Sequence, residues 1–78
     1  MKHMTVKYDR LSDTLYIDAC EPYEDQESDE IALGVVARTN PKTGDIENLE
    51  VLHFQRRFEA GEAFEIPVSL DMRAARSA

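Results

Sequence analysis

Apolar and polar residues alternate in the first part of the chain, as they do in strands that bury only one face. Residues 4–8 and residues 14–19 each carry an apolar side chain at every second position. The turn between them, residues 9–13, contains Asp and Ser, whose side chains accept hydrogen bonds from nearby backbone N–H groups. Because so short a connection permits only antiparallel pairing, we predict that the two strands form a hairpin.

Two further strands are predicted in the middle of the chain. Residues 30–39 are apolar on both faces, which is typical of a strand that is central or covered on its second face. Gly34 within this strand indicates a bulge or a close approach of other backbone. A turn at residues 40–45 leads into a strand that continues to about Leu52. Ile46 is out of phase with Leu49 and Val51, so either a bulge lies near Glu47–Asn48 or Ile46 and Leu52 face the opposite side from Leu49 and Val51.

The last part of the chain predicts one helix and one strand. Apolar residues that recur at intervals of three and four favour a short amphipathic helix over residues 53–59, with Gly61 as its terminator. Residues 64–72 show the most regular alternation in the chain. Because Pro67 cannot donate a backbone hydrogen bond, we place this last strand at an edge of the sheet.

Together these elements predict one small α+β domain over residues 1–78, with a core over about residues 4–72 and a tail at 73–78. It is dominated by an antiparallel β-meander of four strands, with one short helix and an added C-terminal edge strand. The predicted inward-facing residues are Val6, Leu15, Ile17, Ile31, Leu33, Val35, Leu49, Val51, Phe54 and Phe58.

Charge is concentrated in one segment. The net charge is −7, and seven carboxylates lie between Asp18 and Glu30 without any Lys or Arg. We expect residues 20–29 to form a loop that is either solvated or docked on a basic partner surface. Such a loop repels phosphate groups, so binding to nucleic acid or to an anionic membrane is disfavoured. Arg56 and Arg57 on the predicted helix either face solvent, contact a neighbour's acidic loop or, as the least favoured alternative, contact nucleic acid.

Size and cysteine content favour self-association. Domains as small as 78 residues often rely on disulfides, a metal or oligomerisation to supplement a small core. Cys20 is the only cysteine, so a disulfide within one chain is excluded. The sequence has neither a long apolar run nor a signal-peptide pattern, and we therefore expect a cytoplasmic protein. We predict a homodimer that buries the apolar residues of the strand at 64–72.

Candidate catalytic and metal-binding residues are few. Asp9 and Asp13 could bind a divalent cation or act as an acid/base pair, but the EF-hand spacing is absent and turn capping explains the same residue types. His3 and His53 have no ligand or orienting partner patterned around them. Cys20 has no activating base beside it in sequence, and no glycine-rich phosphate loop is present. We therefore predict no catalytic, cofactor-binding or metal-binding residue.

The opening segment carries a family-like motif. Residues 8–17 have the pattern Y-D-x-x-x-D-x-L-Y-I, which resembles the family described as domain of unknown function 2283, a group of short, mostly bacterial and archaeal proteins. That family typically continues with a glycine turn and an I-x-x-(I/L)-E-(I/V)-L strand, which Gly44 and residues 46–52 match. The resemblance covers about residues 4–58 and implies a compact β domain with no catalytic residues to transfer. Family members sometimes lie beside small toxin-like proteins in genomes, which implies a partner-binding or antitoxin-like role.

The sequence thus favours a non-enzymatic protein-interaction or regulatory module that acts as a homodimer and binds a basic or toxin-like partner protein. The alternative hypothesis is a metal-dependent or small-molecule enzyme that uses Asp9 and Asp13. The candidate interaction surface consists of Glu24, Asp25, Glu27, Asp29, Arg56, Arg57, Phe64, Ile66 and Val68.

Overall fold

A computed structural model of the chain describes residues 3–59, 61 and 63–74. These residues form one five-stranded antiparallel sheet and a short 3₁₀ turn. The strands are β1 (Thr5–Asp9), β2 (Thr14–Asp18), β3 (Glu27–Ala32), β4 (Val35–Thr39) and β5 (Ile46–Val51), and the 3₁₀ turn is Gln55–Phe58. The sheet-rich fold is confirmed, whereas the predicted count of four strands and the α+β class are imprecise.

The predicted strand at residues 30–39 is in fact two strands, β3 and β4, joined by a tight turn. Ala32 and Val35 face each other across this turn. Gly34 in the turn has a φ of +72°, a conformation that glycine adopts without steric cost. The run of apolar residues hid the reversal, because it contains none of the polar residues that usually mark a turn.

The order of strands in the sheet is β1-β2-β5-β4-β3, which differs from the predicted meander. β2 pairs with β5 rather than with the next strand along the chain. Residues 19–26 therefore carry the chain past the ends of β5 and β4 to the far edge of the sheet. β3 begins at Glu27, inside the segment predicted to be a loop, so three of the seven carboxylates of the acidic run belong to an edge strand.

One face of the sheet is apolar, and the core lies where β4 and β5 meet. The described apolar residues that are fully buried are Val35, Ala37 and Val51. Three residues of the predicted inward face, Val6, Leu33 and Phe58, are exposed instead, and Phe58 is 45% exposed in the 3₁₀ turn. Val6 is 59% exposed because β1 is an edge strand, and Leu33 is 89% exposed because it lies in the turn between β3 and β4.

The predicted bulge in β5 is confirmed at Glu47. Arg38 pairs with Asn48, whereas the next residue of β4, Thr39, pairs with Ile46, so Glu47 is the extra residue. The extra residue returns Ile46 to the apolar face that Leu49 and Val51 share.

The helix predicted at residues 53–59 is reduced to the 3₁₀ turn Gln55–Phe58. Gly61 follows it with a φ of +74°. Its N–H donates a hydrogen bond of 2.9 Å to the carbonyl oxygen of Phe58, so Gly61 closes the turn as predicted.

The C-terminal segment, residues 63–74, is extended but is not a strand, which corrects the prediction for residues 64–72. Around Pro67, the N–H of Val68 donates a hydrogen bond of 2.8 Å to the carbonyl oxygen of Ile66. Such a three-residue turn is incompatible with a regular ladder. The alternation nevertheless has a physical cause, because the segment crosses the apolar face of the sheet and half-buries Phe64, Ile66 and Val68. The predicted tail lies largely outside the described residues.

Candidate interaction surface

Asp13 connects the turn between β1 and β2 to the start of the 3₁₀ turn. Its Oδ1 atom accepts hydrogen bonds from the Tyr8 hydroxyl at 2.5 Å and from the Gln55 N–H at 2.9 Å. Its carbonyl oxygen accepts a third bond from the Phe54 N–H at 2.9 Å. Asp13 adopts a left-handed φ of 53°, which Asp tolerates better than most residues. The two regions, 42 residues apart in sequence, are therefore joined by one side chain.

The hydrogen bond between Tyr8 and Asp13 changes the acidity of both groups. Because the hydroxyl donates to the carboxylate, it lowers the pKa of Asp13 and raises the pKa of Tyr8. Asp9 has a separate local role, since its Oδ1 atom accepts a hydrogen bond of 3.0 Å from the Leu11 N–H within the turn. These contacts account for both aspartates as turn-stabilising residues.

A metal site built on these aspartates has no further ligands in the part of the chain that the structure describes. No group of three or more His, Cys, Asp or Glu side chains there is placed to hold a metal ion. His53 is exposed and has a φ of 54° at the end of β5, and His3 is exposed just before β1. Enzymatic use of Asp9 and Asp13 stays the alternative hypothesis.

Asn48 anchors the loop that crosses from β2 to β3. Its side chain is 1% exposed. The Nδ2 atom donates to Asp18 Oδ1 at 2.9 Å and to the Cys20 carbonyl oxygen at 2.7 Å. The Oδ1 atom accepts a hydrogen bond of 2.7 Å from Gln26 Nε2. Asn48 therefore binds both ends of the loop to the centre of the sheet.

The middle of the same loop is held at the β5 bulge. The Tyr23 hydroxyl donates a hydrogen bond of 2.6 Å to Glu47 Oε1. This bond, together with burial and the nearby negative charge, raises the pKa of Tyr23 to about 12. Gln26 Nε2 donates to the same carboxylate oxygen at 3.1 Å. The loop is thus attached to the sheet mainly by polar contacts, which its composition did not reveal.

The predicted acidic residues lie together on one edge of the molecule. Glu24 and Asp25 are exposed in a turn of the loop, and Glu27 and Asp29 are exposed on β3. β3 is an edge strand, so its outer backbone groups are free to pair with another strand. Charged side chains on such an edge disfavour that pairing. We name Glu24, Asp25, Glu27, Asp29 and Glu30 the acidic edge.

The two predicted basic residues have different positions. Arg56 is exposed. Arg57 is half-buried and donates hydrogen bonds to two backbone carbonyl oxygens, Leu52 at 2.9 Å and Leu33 at 2.6 Å. Its guanidinium carbon also lies 5.1 Å from the ring centre of Phe64. Arg57 is therefore a structural residue that connects β5, the β3–β4 turn and the C-terminal segment.

Phe64 is the internal anchor of the C-terminal segment. Its ring centre lies 5.3 Å from that of Phe58 and 6.3 Å from that of Phe54, at tilted or edge-to-face angles that favour aromatic pairs. Beyond it, Ile66 and Val68 are half-buried. The three apolar residues that the sequence placed in the candidate interaction surface thus also cover the sheet of their own chain.

An apolar groove remains between the C-terminal segment and the β1 side of the sheet. It has a volume of 210 Å³ and is lined mostly by apolar side chains, among them Ile17, Leu49 and Val68. The residues at its rim are largely exposed, with Met4 at 57% and Leu70 at 66%. We name the exposed apolar residues at this side the β1 surface, which consists of Met4, Val6, Ile46 and Leu70.

The β1 surface does not follow from the sequence pattern. Met4 and Val6 belong to a regular alternating strand, which indicates burial and gives no sign that the strand is at an edge. Leu70 belongs to the alternating segment at residues 64–72, and the alternation gives no sign that Leu70 is 66% exposed. The one feature of the sequence that indicates an exposed apolar surface is the short chain, because a small domain cannot bury all of its apolar side chains.

The opposite face of the sheet carries a polar groove of 470 Å³ beside β1, lined by residues that include Lys7, Asp18 and Cys20. Lys7 Nζ lies 5.2 Å from the ring centre of Tyr16. Arg38 and Glu50 form a salt bridge of 3.0 Å on the same face. Cation–π and ion-pair contacts of this kind are typical of a solvated sheet face.

No helix in the described residues is long and apolar enough to cross a membrane. Comparison of the chain with protein-family models, with curated proteins and with solved structures gave no match. Similarity to domain of unknown function 2283 stays a prediction from the sequence motif.

Proposed function

We propose that this protein is a protein-interaction module that acts as a homodimer through the β1 surface. The observation that carries the proposal is the exposure of apolar side chains on one side of the sheet. Met4 is 57%, Val6 59% and Leu70 66% exposed. Met4 and Leu70 line one groove, and Val6 lies two residues along the chain from Met4, whereas isolated exposed apolar residues need no partner.

The small size of the core supports the same conclusion. Only Val35, Ala37 and Val51 are fully buried among the apolar residues that the structure describes. A chain of this length has little stability in reserve, so burial of further apolar area against a second copy contributes to folding as well as to binding. Each fully buried aliphatic side chain contributes about 1.5–3 kcal/mol.

Light scattering coupled to size-exclusion chromatography tests the proposal. At micromolar concentration we expect a mass of twice the 8.9 kDa of one chain. Leu70→Glu places a charge in the β1 surface and is expected to shift the protein to monomer. Leu33→Glu, at the tip of the β3–β4 turn and 89% exposed, is the matched control and should leave the dimer intact. A monomeric mass for the unaltered protein at this concentration would refute the proposal.

Binding of a further partner protein, basic or toxin-like, is a proposal that rests on the charge of the acidic edge and on the family-like motif. Part of that charge has a structural explanation in the protection of β3 against pairing. Co-purification at low and high salt tests the proposal, because a charge-dependent partner dissociates as salt screens the carboxylates. Replacement of Glu24 and Asp25 by Gln and Asn should weaken such a complex without changing the mass of the dimer.

A further inference from the structure

The two edges of the sheet differ in chemistry. β3 presents the carboxylates of Glu27, Asp29 and Glu30, all exposed. β1 presents Val6 on one face and Lys7 on the other, and Val6 is 59% exposed. Natural sheets protect free edges with charged side chains, and an edge with weaker protection is a site for pairing with another strand. The three carboxylates of β3 repel a second copy of the same edge, whereas Lys7 and Asp9 of β1 carry opposite charges. This difference in charge between the two edge strands indicates that β1, and not β3, is the edge available for pairing.

We infer that the homodimer forms by antiparallel pairing of β1 with β1 of a second copy, so that the two sheets become one continuous sheet. This inference rests on the proposed function and specifies its geometry. Antiparallel pairing of identical strands is generated by a two-fold axis perpendicular to the sheet, which is the usual symmetry of a homodimer. The axis keeps the apolar faces of both copies on the same side.

Symmetry restricts the register to a few choices. Residues directly opposite each other in an antiparallel pair point to the same face. Since Val6 and Lys7 point to opposite faces, Val6 cannot lie opposite Lys7 of the partner subunit. One residue of β1 must therefore lie at the two-fold axis, directly opposite the same residue of the partner subunit. The candidates near the middle of β1 are Thr5, Val6 and Lys7.

Charge and apolar contact select Val6 as the centre. A centre at Lys7 places two ammonium groups directly opposite each other, which is destabilising. A centre at Thr5 leaves only Thr5 of β1 opposite a β1 residue of the partner subunit, because β1 begins at Thr5, whereas a centre at Val6 pairs Thr5, Val6 and Lys7 within the two strands. A centre at Val6 places Val6 opposite Val6 of the partner subunit and Met4 opposite Tyr8 of the partner subunit.

The same register also matches the polar residues. It places Lys7 opposite Thr5 of the partner subunit, and Asp9 opposite His3 of the partner subunit. An aspartate opposite a histidine is a favourable cross-strand pair when the histidine is protonated. On the apolar face, the pairing covers Met4 and Val6 of both copies and joins the two grooves across the axis.

Site-specific cross-linking tests both the edge and the register. The parent is Cys20→Ser, which removes the only cysteine. Cys20 is exposed, and its backbone carbonyl oxygen accepts the hydrogen bond from Asn48. Val6→Cys, Lys7→Cys and Ser28→Cys are then introduced one at a time. Each variant is incubated at micromolar concentration in a glutathione redox buffer, and the rate of disulfide-linked dimer formation is measured on non-reducing gels.

We expect Val6→Cys to cross-link at least tenfold faster than the other two variants. Opposed residues in an antiparallel pair have Cα atoms about 4.5–5.5 Å apart, within the range that a disulfide spans. Lys7 is displaced from Lys7 of the partner subunit by two positions along the strand, which is too far for a disulfide. Ser28 lies on β3 and reports pairing through the other edge.

The alternative outcomes have separate meanings. Fastest cross-linking of Lys7→Cys would overturn the register, and fastest cross-linking of Ser28→Cys would overturn the choice of edge. Slow cross-linking of all three variants, with a dimeric mass of the parent in light scattering, would overturn β1 pairing while leaving the proposed homodimer in place. A monomeric parent would refute the proposed function itself.

Discussion

The Nη2 atom of Arg57 donates a hydrogen bond of 2.6 Å to the carbonyl oxygen of Leu33. This bond connects the 3₁₀ turn after β5 to the turn between β3 and β4. The same side chain donates from Nε to the Leu52 carbonyl oxygen and lies against Phe64. One planar guanidinium, with donors in fixed directions, thus holds three separate segments together.

Arg57→Lys is expected to lower the free energy of unfolding by about 1–3 kcal/mol, because an ammonium group cannot reproduce two directed hydrogen bonds and a stacked contact. Urea denaturation followed by circular dichroism measures the change. Arg56→Lys is the matched control on the adjacent, exposed position and should change stability by less than about 0.5 kcal/mol. Equal losses for the two variants would contradict the structural role of Arg57.

Gly34→Ala is expected to destabilise the protein more than Gly44→Ala. Both glycines have positive φ, +72° and +77°, so each substitution carries the cost of a left-handed alanine, about 1–2 kcal/mol. A Cβ at position 34 would also lie 2.5 Å from Arg57 Nη2, whereas a Cβ at position 44 has no atom within 4 Å. The guanidinium can move away only by losing its bond to Leu33.

Thermal or urea denaturation of both glycine variants measures the difference between their losses of stability. The excess cost at position 34 should shrink when Arg57→Ala is added, because the contact that causes it is then absent. If the two glycine variants differ in stability by the same amount when Arg57→Ala is present, the clash with Arg57 is not the cause of the greater loss at position 34.

Asn48→Asp is expected to destabilise the protein by about 2 kcal/mol or more at neutral pH. The substitution keeps the shape of the side chain but replaces a donor amide with a carboxylate that faces Asp18 Oδ1 and the Cys20 carbonyl oxygen. Position 48 is only 1% exposed, so water cannot solvate the new carboxylate and its burial is costly.

Asn40→Asp is the matched control for Asn48→Asp. Asn40 Oδ1 accepts hydrogen bonds from the N–H groups of Lys42 and Thr43, and a carboxylate oxygen can accept the same bonds. The substitution loses only the long 3.4 Å bond from Asn40 Nδ2 to Glu47 Oε2, at a position that is half-buried and not fully buried. We expect a smaller loss for this variant in chemical denaturation. A loss at position 40 as large as that at position 48 would contradict the role of Asn48 as the loop anchor.

Asp13→Asn is expected to reduce stability at neutral pH and to weaken the acid dependence of unfolding. The Tyr8 hydroxyl lowers the pKa of Asp13 in the folded state, so the unfolded chain binds more protons as the pH falls. The contribution of Asp13 is therefore complete above the unfolded pKa of about 3.9 and is lost as the pH falls through the lower folded value.

The difference in unfolding free energy between the wild type and Asp13→Asn should accordingly narrow below about pH 4. Denaturation curves collected from pH 7 down to acid measure it. Asp25→Asn, which removes a carboxylate from the exposed loop, controls for the change in net charge. If the difference in unfolding free energy between the wild type and Asp13→Asn stays constant from pH 7 down to acid, the bond to Tyr8 is not the origin of the stability that Asp13 contributes.

Local features of the chain were predictable where one short segment contains all of the relevant information. The β1–β2 hairpin follows from alternation and a short polar turn, and the β5 bulge at Glu47 follows from a break in phase. The closing role of Gly61 is similarly local. In contrast, the turn at Gly34 was missed because its neighbours are apolar, and sequence pattern alone assigned one strand where there are two.

The candidate site depended on contacts between distant segments. Nothing near Arg57 in sequence indicates that it binds the carbonyl oxygen of Leu33, 24 residues away. Asn48 likewise lies 28 residues from the Cys20 carbonyl oxygen that it binds. Arg and Asn side chains are usually found on the surface, so residue type alone predicts that Arg57 and Asn48 face solvent, whereas both hold distant segments together.

The sequence by itself determined that this protein is a small, sheet-rich domain with an acidic segment, because alternation and charge are properties of neighbouring residues. Only the tertiary structure decided that β2 pairs with β5, that β1 and β3 are the two edges, and that Val6 is left exposed. The physical reason is that strand order follows from long-range packing and from the path of the loop at residues 19–26. The pattern within each strand is the same whichever neighbour it has.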